Sequence, residues 1–356
     1  MEIVNYTPFP HLLFESRMPD DRPLGVMVLR GTFTIVAGAP LRPTPDQDPV
    51  LVADVHRGEP GRSSLVAEAD IAPFKPRSDI HVNAVARAPG GSPAAEWPIS
   101  VRIGKIKKDL LVRGPALWQH SVLGGWKKTP IARCTEVPVT YERTFGGRFD
   151  RGGTSYQDER NPVGVGLLDD RWTPRDRDLP APQIVALDEP DHRPGRRYPP
   201  QGLGPISPHW EARRARAGTF DEAWQNERWP RLPADFDFAF YNSAHPDLIY
   251  PGYLAGDEQV DLVHLSPAAA AVRFSLPAFR TMGLLRRKSG ALRPFPMALD
   301  TVHIDVSAED PAAHRVHLTW RGTYWMKGDE RVIEARLDQG GPGPMMIPLM
   351  NPIEVR

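Results

Sequence analysis

The sequence predicts a mainly β protein: two β-sandwich or open-barrel halves, residues 1–165 and 232–356, joined by a proline-rich, partly helical segment over 166–231. Three observations predict it. The 356 residues include 40 prolines and 30 glycines, nearly double the usual share, which keeps helices short. Runs of four to eight β-branched or alternating residues, each closed by Gly or Pro, recur along both ends of the chain. Between them, nine prolines fall in the 39 residues from Arg171 to His209, which removes ladder donors and prevents regular helix.

In order, strand signals cover Val26–Leu29 into Thr32–Val36, then Ile80–Ala86, Ile99–Ile103, Leu110–Val112 and Val137–Tyr141. Ser100–Lys105 followed by Asp109–Gly114 reads as a hairpin whose turn carries Lys105, Lys107 and Lys108, expected to be solvated. The proline-rich stretch is either a domain boundary or an arm wrapped on the surface. After it, Thr219-Phe220-Asp221-Glu222 has the form of a capping box, with Thr219 at N-cap, opening a short helix that Trp229-Pro230 ends. Strand signals resume at Val260–Leu265, Ala271–Leu276, Thr301–Val306, Arg315–Trp325 and Arg331–Leu337. Leu29-Arg30-Gly31-Thr32-Phe33 and Trp320-Arg321-Gly322-Thr323-Tyr324 share an Arg-Gly-Thr-aromatic core, the one internal similarity that points to related β-halves.

Charge balances at 44 basic and 44 acidic residues, which argues against a dedicated nucleic-acid binder. The balance is not local. Arg273, Arg280, Arg286, Arg287, Lys288 and Arg293 meet no acid between Ala271 and Leu299, and Asp235, Asp237, Asp247, Asp257, Glu258 and Asp261 meet no Lys or Arg between Ala234 and Leu262. The expectation is that the two runs partly neutralise each other or are solvated. Cys134 is the lone cysteine, so no intrachain disulfide or multi-cysteine metal site forms. The sequence shows no signal-peptide pattern at Met1–Pro8 and no run of 18 apolar residues, so a cytoplasmic location without membrane contact is expected.

Motifs for chemistry are sparse, and no cofactor is expected. Gly164-Val165-Gly166 and Gly202-Leu203-Gly204 lack the third glycine of a dinucleotide loop, and no Gly-x-Ser-x-Gly occurs. His314-x-x-His317 on a strand would put its two rings on opposite faces, which defeats joint metal ligation. Asp235-Phe236-Asp237 places two carboxylates on one face of an extended segment, the basis of an alternative reading as a carbohydrate-binding or glycoside-active protein. The same residues equally read as caps of their own backbone. Trp210, Trp224 and Trp229 flank the proline-rich segment, as protein-docking anchors or as packing for an irregular arm.

An ordered set of blocks along most of the chain resembles domain-of-unknown-function family 2169. The blocks are Asn5-x-Thr7-Pro8-Phe9; Arg30-Gly31-Thr32-Phe33; Glu68-x-Asp70-x-x-Pro73-x-Lys75-Pro76-x-x-Asp79; Tyr141-Glu142-Arg143-x-Phe145-Gly146-Gly147; Asn161-Pro162-Val163-Gly164; Gly218-Thr219-Phe220-Asp221-x-x-Trp224; Asp235-Phe236-Asp237; and Phe274-x-Leu276-Pro277. Thr144 and Val165 depart from the residues usual at their positions. The resemblance implies a non-enzymatic cytoplasmic adaptor or chaperone that binds a type VI secretion effector or PAAR spike-tip protein and helps load it onto the VgrG spike. Glu68, Asp70, Lys75, Asp79, Tyr141, Glu142, Arg143, Gly146, Gly147, Asp235 and Asp237 are expected to be structural members of the signature. Partner binding is expected at Trp210, Trp224, Trp229, Arg286, Arg287 and Lys288, or along an open strand edge.

Overall fold

Strand dominates the computed structural model of the chain, which describes residues 1–338. The architecture rests on β1 (Glu2–Asn5), β2 (His11–Arg17), β3 (Pro23–Thr34), β4 (Ser78–Arg87), β5 (Glu96–Ile103), β6 (Ile106–Arg113) and β7 (Ile184–Ala186). It continues with β8 (Gln259–Val263), β9 (Ala271–Ser275), β10 (Arg280–Arg287), β11 (Leu292–Val306), β12 (Arg315–Trp325) and β13 (Glu330–Asp338). The larger sheet runs β1-β13-β10-β11-β12-β3-β2, and β4 joins it in parallel to the second half of β11. The smaller sheet runs β7-β6-β5-β8-β9.

The chain is mainly β, as its composition predicts, but the two ends of the sequence do not build separate sheets. In the larger sheet β3 lies between β2 and β12, with Leu29 opposite Trp320, and β4 pairs β11. In the smaller sheet β8 pairs β5. Both sheets therefore draw strands from 1–165 and from 232–356, which corrects the expected side-by-side halves; residues 339–356 of the last expected segment lie outside the described residues. The physical reason is that one apolar core serves both sheets. Met27, Leu29, Ile80, Val82, Val302, Ile304, Leu318 and Trp320 of the larger sheet share a buried cluster with Trp97, Val101, Leu110, Val260 and Phe274 of the smaller one. The internal Arg-Gly-Thr similarity sits on adjacent central strands of the same sheet, not on two related units.

Strand period places alternate residues on the opposite face of the larger sheet. Arg30, Thr32, Asp79, His81, Asn83, Thr301, His303, His317, Thr319 and Arg321 all lie there, and most of them are buried. Two irregular segments lie over that face. Residues 44–76 run over it from one side, with the Thr44 amide bonded to the Thr32 carbonyl at 2.9 Å. The proline-rich segment is a wrapped arm: its Leu203 carbonyl takes the Val82 amide of β4 at 2.8 Å, and the Ile206 amide bonds the Ser243 carbonyl at 2.7 Å. Phe236 and Phe238 then pack with Phe74, Leu24, Val26 and Val28 as a second small core under the same cover.

Three local expectations are corrected. The hairpin turn between β5 and β6 is two residues, Gly104-Lys105, so Lys108 sits within β6 and its side chain is buried beside His245 and Asp247. The helix α1 (Glu211–Arg214) precedes α2 (Glu222–Glu227), and the N-cap of α2 is Asp221, whose carboxylate accepts the Trp224 amide at 2.8 Å; Thr219 instead gives its amide and hydroxyl to Asp235. Strands β1, β2, β10 and the first half of β11 were not expected from the sequence: basic residues close β10, and Pro294 and Pro296 break the alternation of β11.

Leu318 is fully buried in the shared core, whereas Val122 at a hairpin tip is 95 % exposed. Urea unfolding is expected to show Leu318→Ala losing about 2–5 kcal/mol and Val122→Ser changing by less than about 0.5 kcal/mol.

Candidate functional site

The covered face of the larger sheet concentrates the chain's buried polar chemistry. Register sets it out in cross-strand rows: His81, His303 and His317 lie side by side on β4, β11 and β12, and the row below holds Asp79, Thr301, Thr319 and Arg30. The His81 and His303 ring centres are 6.1 Å apart and those of His303 and His317 5.9 Å. His317 Nε2 reaches Asp48 at 2.8 Å, and His303 Nε2 meets the Asn83 amide at 3.2 Å.

Five ion pairs surround these rows. Lys75 Nζ lies 2.8 Å from Glu68 and 2.9 Å from Asp79. Arg213, from α1, closes on the other Glu68 oxygen at 2.8 Å. Arg30 pairs with Asp70 at 2.9 Å, and Arg321 pairs with Asp300 at 2.6 Å while donating to the Asp70 and Ala72 carbonyls. Asp79 also accepts the Ser243 amide at 2.9 Å and the Asn242 side chain at 3.0 Å, and the Ser243 hydroxyl donates to Glu68 at 2.6 Å. Four carboxylates and four cations thus meet with matched charge under the cover, joining residues 68–79, the arm, the 242–243 turn and the sheet.

Burial and charge oppose each other within the cluster. Burial pushes the Glu68 carboxyl up, but the Lys75 and Arg213 charges outweigh it and bring it down to about 2. Burial lowers the Lys75 ammonium, and Asp79 and Glu68 reverse that into a net rise. His81 is depressed to about 4 by burial, and burial also holds His303 well below the usual imidazole value. For Asp300, burial outweighs the Arg321 charge and raises the carboxyl. Glu68, Asp79 and His81 converge closely enough to hold a cation, yet the Lys75 ammonium stands between the two carboxylates and fills that place. The arrangement is an ion-pair cluster rather than an open ligand set.

A second signature region packs against the first. Phe145-Gly146 pairs in parallel with Val165-Gly166, and the buried Asn161 side chain donates to the Tyr141 and Phe145 carbonyls and to Thr144 Oγ1 at 2.9–3.0 Å. Gly146 has φ +154, and a Cβ there would stand 2.1 Å from the Asn161 carbonyl oxygen, so only glycine fits. Thr144, the departure from the expected residue, puts its hydroxyl to use as the third Asn161 acceptor. Glu142 takes the Ser64 amide and hydroxyl at 2.7 and 2.9 Å, tying the covering loop to this region, while Arg143 bonds Gln183. Tyr141 is buried edge-on against Trp210 at 5.0 Å.

The family model described as "Uncharacterized protein conserved in bacteria (DUF2169)" matches residues 20–321. The chain belongs to this family. No curated protein and no solved structure gives a significant match. The matched span holds every member of the buried cluster, with Arg30 and Arg321 near its two ends; the Asn5–Phe9 block lies before it.

In this DUF2169 protein the expected signature residues gather as structure. Glu68, Asp70, Lys75 and Asp79 share the buried cluster, and Tyr141, Glu142, Arg143, Gly146 and Gly147 form the second region with Asn161. Asp235 and Asp237 do not face each other as a carboxylate pair. Asp235 holds Thr219, and Asp237 pairs with Arg216 at 2.8 Å and caps the Ala239 amide. The expected partner-binding residues fall in three settings. Trp210 is buried with Tyr141 and Ile206, a correction that removes it from the surface. Trp224 is half-buried, edge-on to Phe220 at 4.8 Å, and with Phe220 and Trp229 it leaves an exposed aromatic patch on α2 and the segments on either side of it. Arg286 pairs with Glu334, Arg287 with Asp329, and Lys288 bonds the Gly328 carbonyl. The basic run is therefore neutralised chiefly by β13 and the turn before it; across the two charge runs Arg273 meets Asp261 at 2.9 Å. Sequence reasoning missed His303, Asp300 and Arg213 as cluster members, since only the register of β11 and the return of the arm bring them in.

Protonating His81 and Glu68 opposes the fold with the same sign, because both are depressed in the folded chain. Stability is expected to be full above about pH 6.5, to fall as acid approaches pH 4 where His81 titrates, and to fall further toward pH 2 as Glu68 is neutralised. Thermal melts across that range check this; a flat profile between pH 6.5 and 4 would contradict it. Asn161→Leu, which removes three buried donor contacts, is expected to lower the unfolding free energy by about 2–4 kcal/mol in urea titration.

Proposed function

We propose that this DUF2169 protein is a non-enzymatic cytoplasmic adaptor or chaperone, which binds a type VI secretion effector or PAAR spike-tip protein and delivers it to the VgrG spike. The exposed aromatic patch of Phe220, Trp224 and Trp229 carries this reading. Phe220 is 56 % and Trp229 67 % exposed, beside a short helix that projects from the arm, and apolar rings held in water mark a docking surface. The Trp224 indole N–H is already bonded to the Arg231 carbonyl at 2.9 Å, which fixes the ring for contact. Two further observations support it. Arg228 bonds the Pro19 and Leu232 carbonyls, anchoring the patch to the sheet side of the molecule. Glu68, Lys75 and Asp79 are committed to holding the fold, leaving recognition to the outer surface.

Capture of the tagged full chain from its native host at moderate salt, with mass spectrometry of what co-purifies, is the test. A stoichiometric spike-tip or effector protein is expected, with capture reduced about tenfold or more in Trp224→Ala/Trp229→Ala and the melting temperature unchanged. A folded, monodisperse chain without a protein partner would overturn the reading. So would saccharide binding lost on Asp235→Asn, which favours the carbohydrate alternative.

A further inference from the structure

Two loops away from the aromatic patch enclose a cleft of about 770 Å³. One wall is the antiparallel hairpin of Arg148–Arg151 and Thr154–Gln157, turned through Gly152 and Gly153 with φ +57 and +79, values the two-residue hairpin turn requires. The other wall is the loop 170–177. It is fastened rather than free: the Asp169 carboxylate accepts the Arg171 and Trp172 amides and the Tyr156 hydroxyl, and the Trp172 ring stacks on Tyr156 at 5.6 Å and 6°. The two walls therefore meet a ligand already positioned.

The loop sorts its charges. Its sequence alternates Arg175-Asp176-Arg177-Asp178, and the two arginines line the cleft while Asp178 takes the Gln119 amide at 2.9 Å outside it. Arg148, Arg151 and Arg171 join them, against Asp150 and Asp170. Asp150 pairs with Arg148 at 2.8 Å and Asp170 with Arg175 at 3.7 Å, but Arg151, Arg171 and Arg177 hold no ion pair among the described residues. Three exposed, unpaired guanidiniums thus converge in one cleft of a chain with formal net charge zero. Planar guanidinium forks match carboxylates in two-point contacts. The two lining carboxylates are paired with Arg148 and Arg175, and three free cations fall short of the roughly six to ten contacts of a nucleic-acid footprint. That small number suits a short run of acidic side chains on a polypeptide.

We infer that this cleft binds an extended segment rich in Asp and Glu on the partner protein. The inference deepens the adaptor reading and rests on it, adding a second, electrostatic contact to the aromatic patch.

Fluorescence anisotropy of the full-length protein with a fluorescein-labelled peptide of alternating Asp and Glu tests it. Saturable binding that weakens as salt rises is expected. Arg151→Glu/Arg171→Glu/Arg177→Glu should weaken it at least about tenfold by facing like charge to the peptide. The neutral Arg151→Gln/Arg171→Gln/Arg177→Gln variant should fall between, with both variants melting like the parent because these side chains are exposed. Arg286→Glu/Lys288→Glu should leave binding within about twofold. No binding by the parent, an equal loss in the Arg286/Lys288 variant, or tighter binding of a thymidine oligonucleotide of equal charge would overturn it. Absent peptide binding alongside capture of a spike-tip partner overturns the cleft and spares the adaptor reading. Peptide binding that is lost on charge reversal supports the cleft even where capture returns no spike-tip protein.

Discussion

Lys75, held between Glu68 and Asp79, is the interaction on which the remaining structure depends. A sheet with one face on the apolar core needs a reason to keep its second face from water, and here that face is polar. Burying it costs desolvation of each charge, which only matched partners and hydrogen bonds offset. The partners come from outside the sheet: Lys75, Glu68 and Asp70 from the loop before β4, Arg213 from the arm, and Ser243 from the turn after it. The ion pairs are thus what specify how the irregular third of the chain lies on the regular part.

That arrangement separates the roles of the two surfaces. The inner chemistry is consumed in mutual pairing, while the cover, once seated, presents side chains that the sheet itself could not. The aromatic patch is carried by α2 and its flanks near the end of the arm, and the arginine-lined cleft by the 148–157 hairpin inside the Gly146–Asn161 region and by the 170–177 loop after it. If the proposed recognition holds, the patch depends on the arm that the Arg213–Glu68 pair ties to the cluster.

Much of this was legible in the sequence. Pro and Gly abundance with short β-branched runs predicted the strands, and β12 matches its expected span of Arg315–Trp325. Glu68, Asp70, Lys75 and Asp79 were expected as structural members of the signature, and they meet in the buried cluster. What stayed hidden depended on long-range pairing. Alternation within one strand does not say which strand lies beside it, so the interleaving of β3 with β12 and of β5 with β8 was invisible, and two halves were expected. Lys108 read as a loop lysine because the turn was taken as longer than two residues, and Trp210 read as a surface anchor because nothing local marks Tyr141 as its neighbour. Strand β10 looked like a basic patch because its neutralising acids, Asp329 and Glu334, lie more than 40 residues away.

Hydrogen exchange with peptide-level mass spectrometry on Lys75→Met is the most direct test of the central claim. If the buried charges fasten the cover to the sheet, peptides over 199–206 and 242–245 should lose protection about tenfold or more beyond any loss in β5 and β8, which lie in the opposite sheet. Protection of the arm and the 242–245 turn at the parent's level, or a loss spread evenly over both sheets, would contradict it.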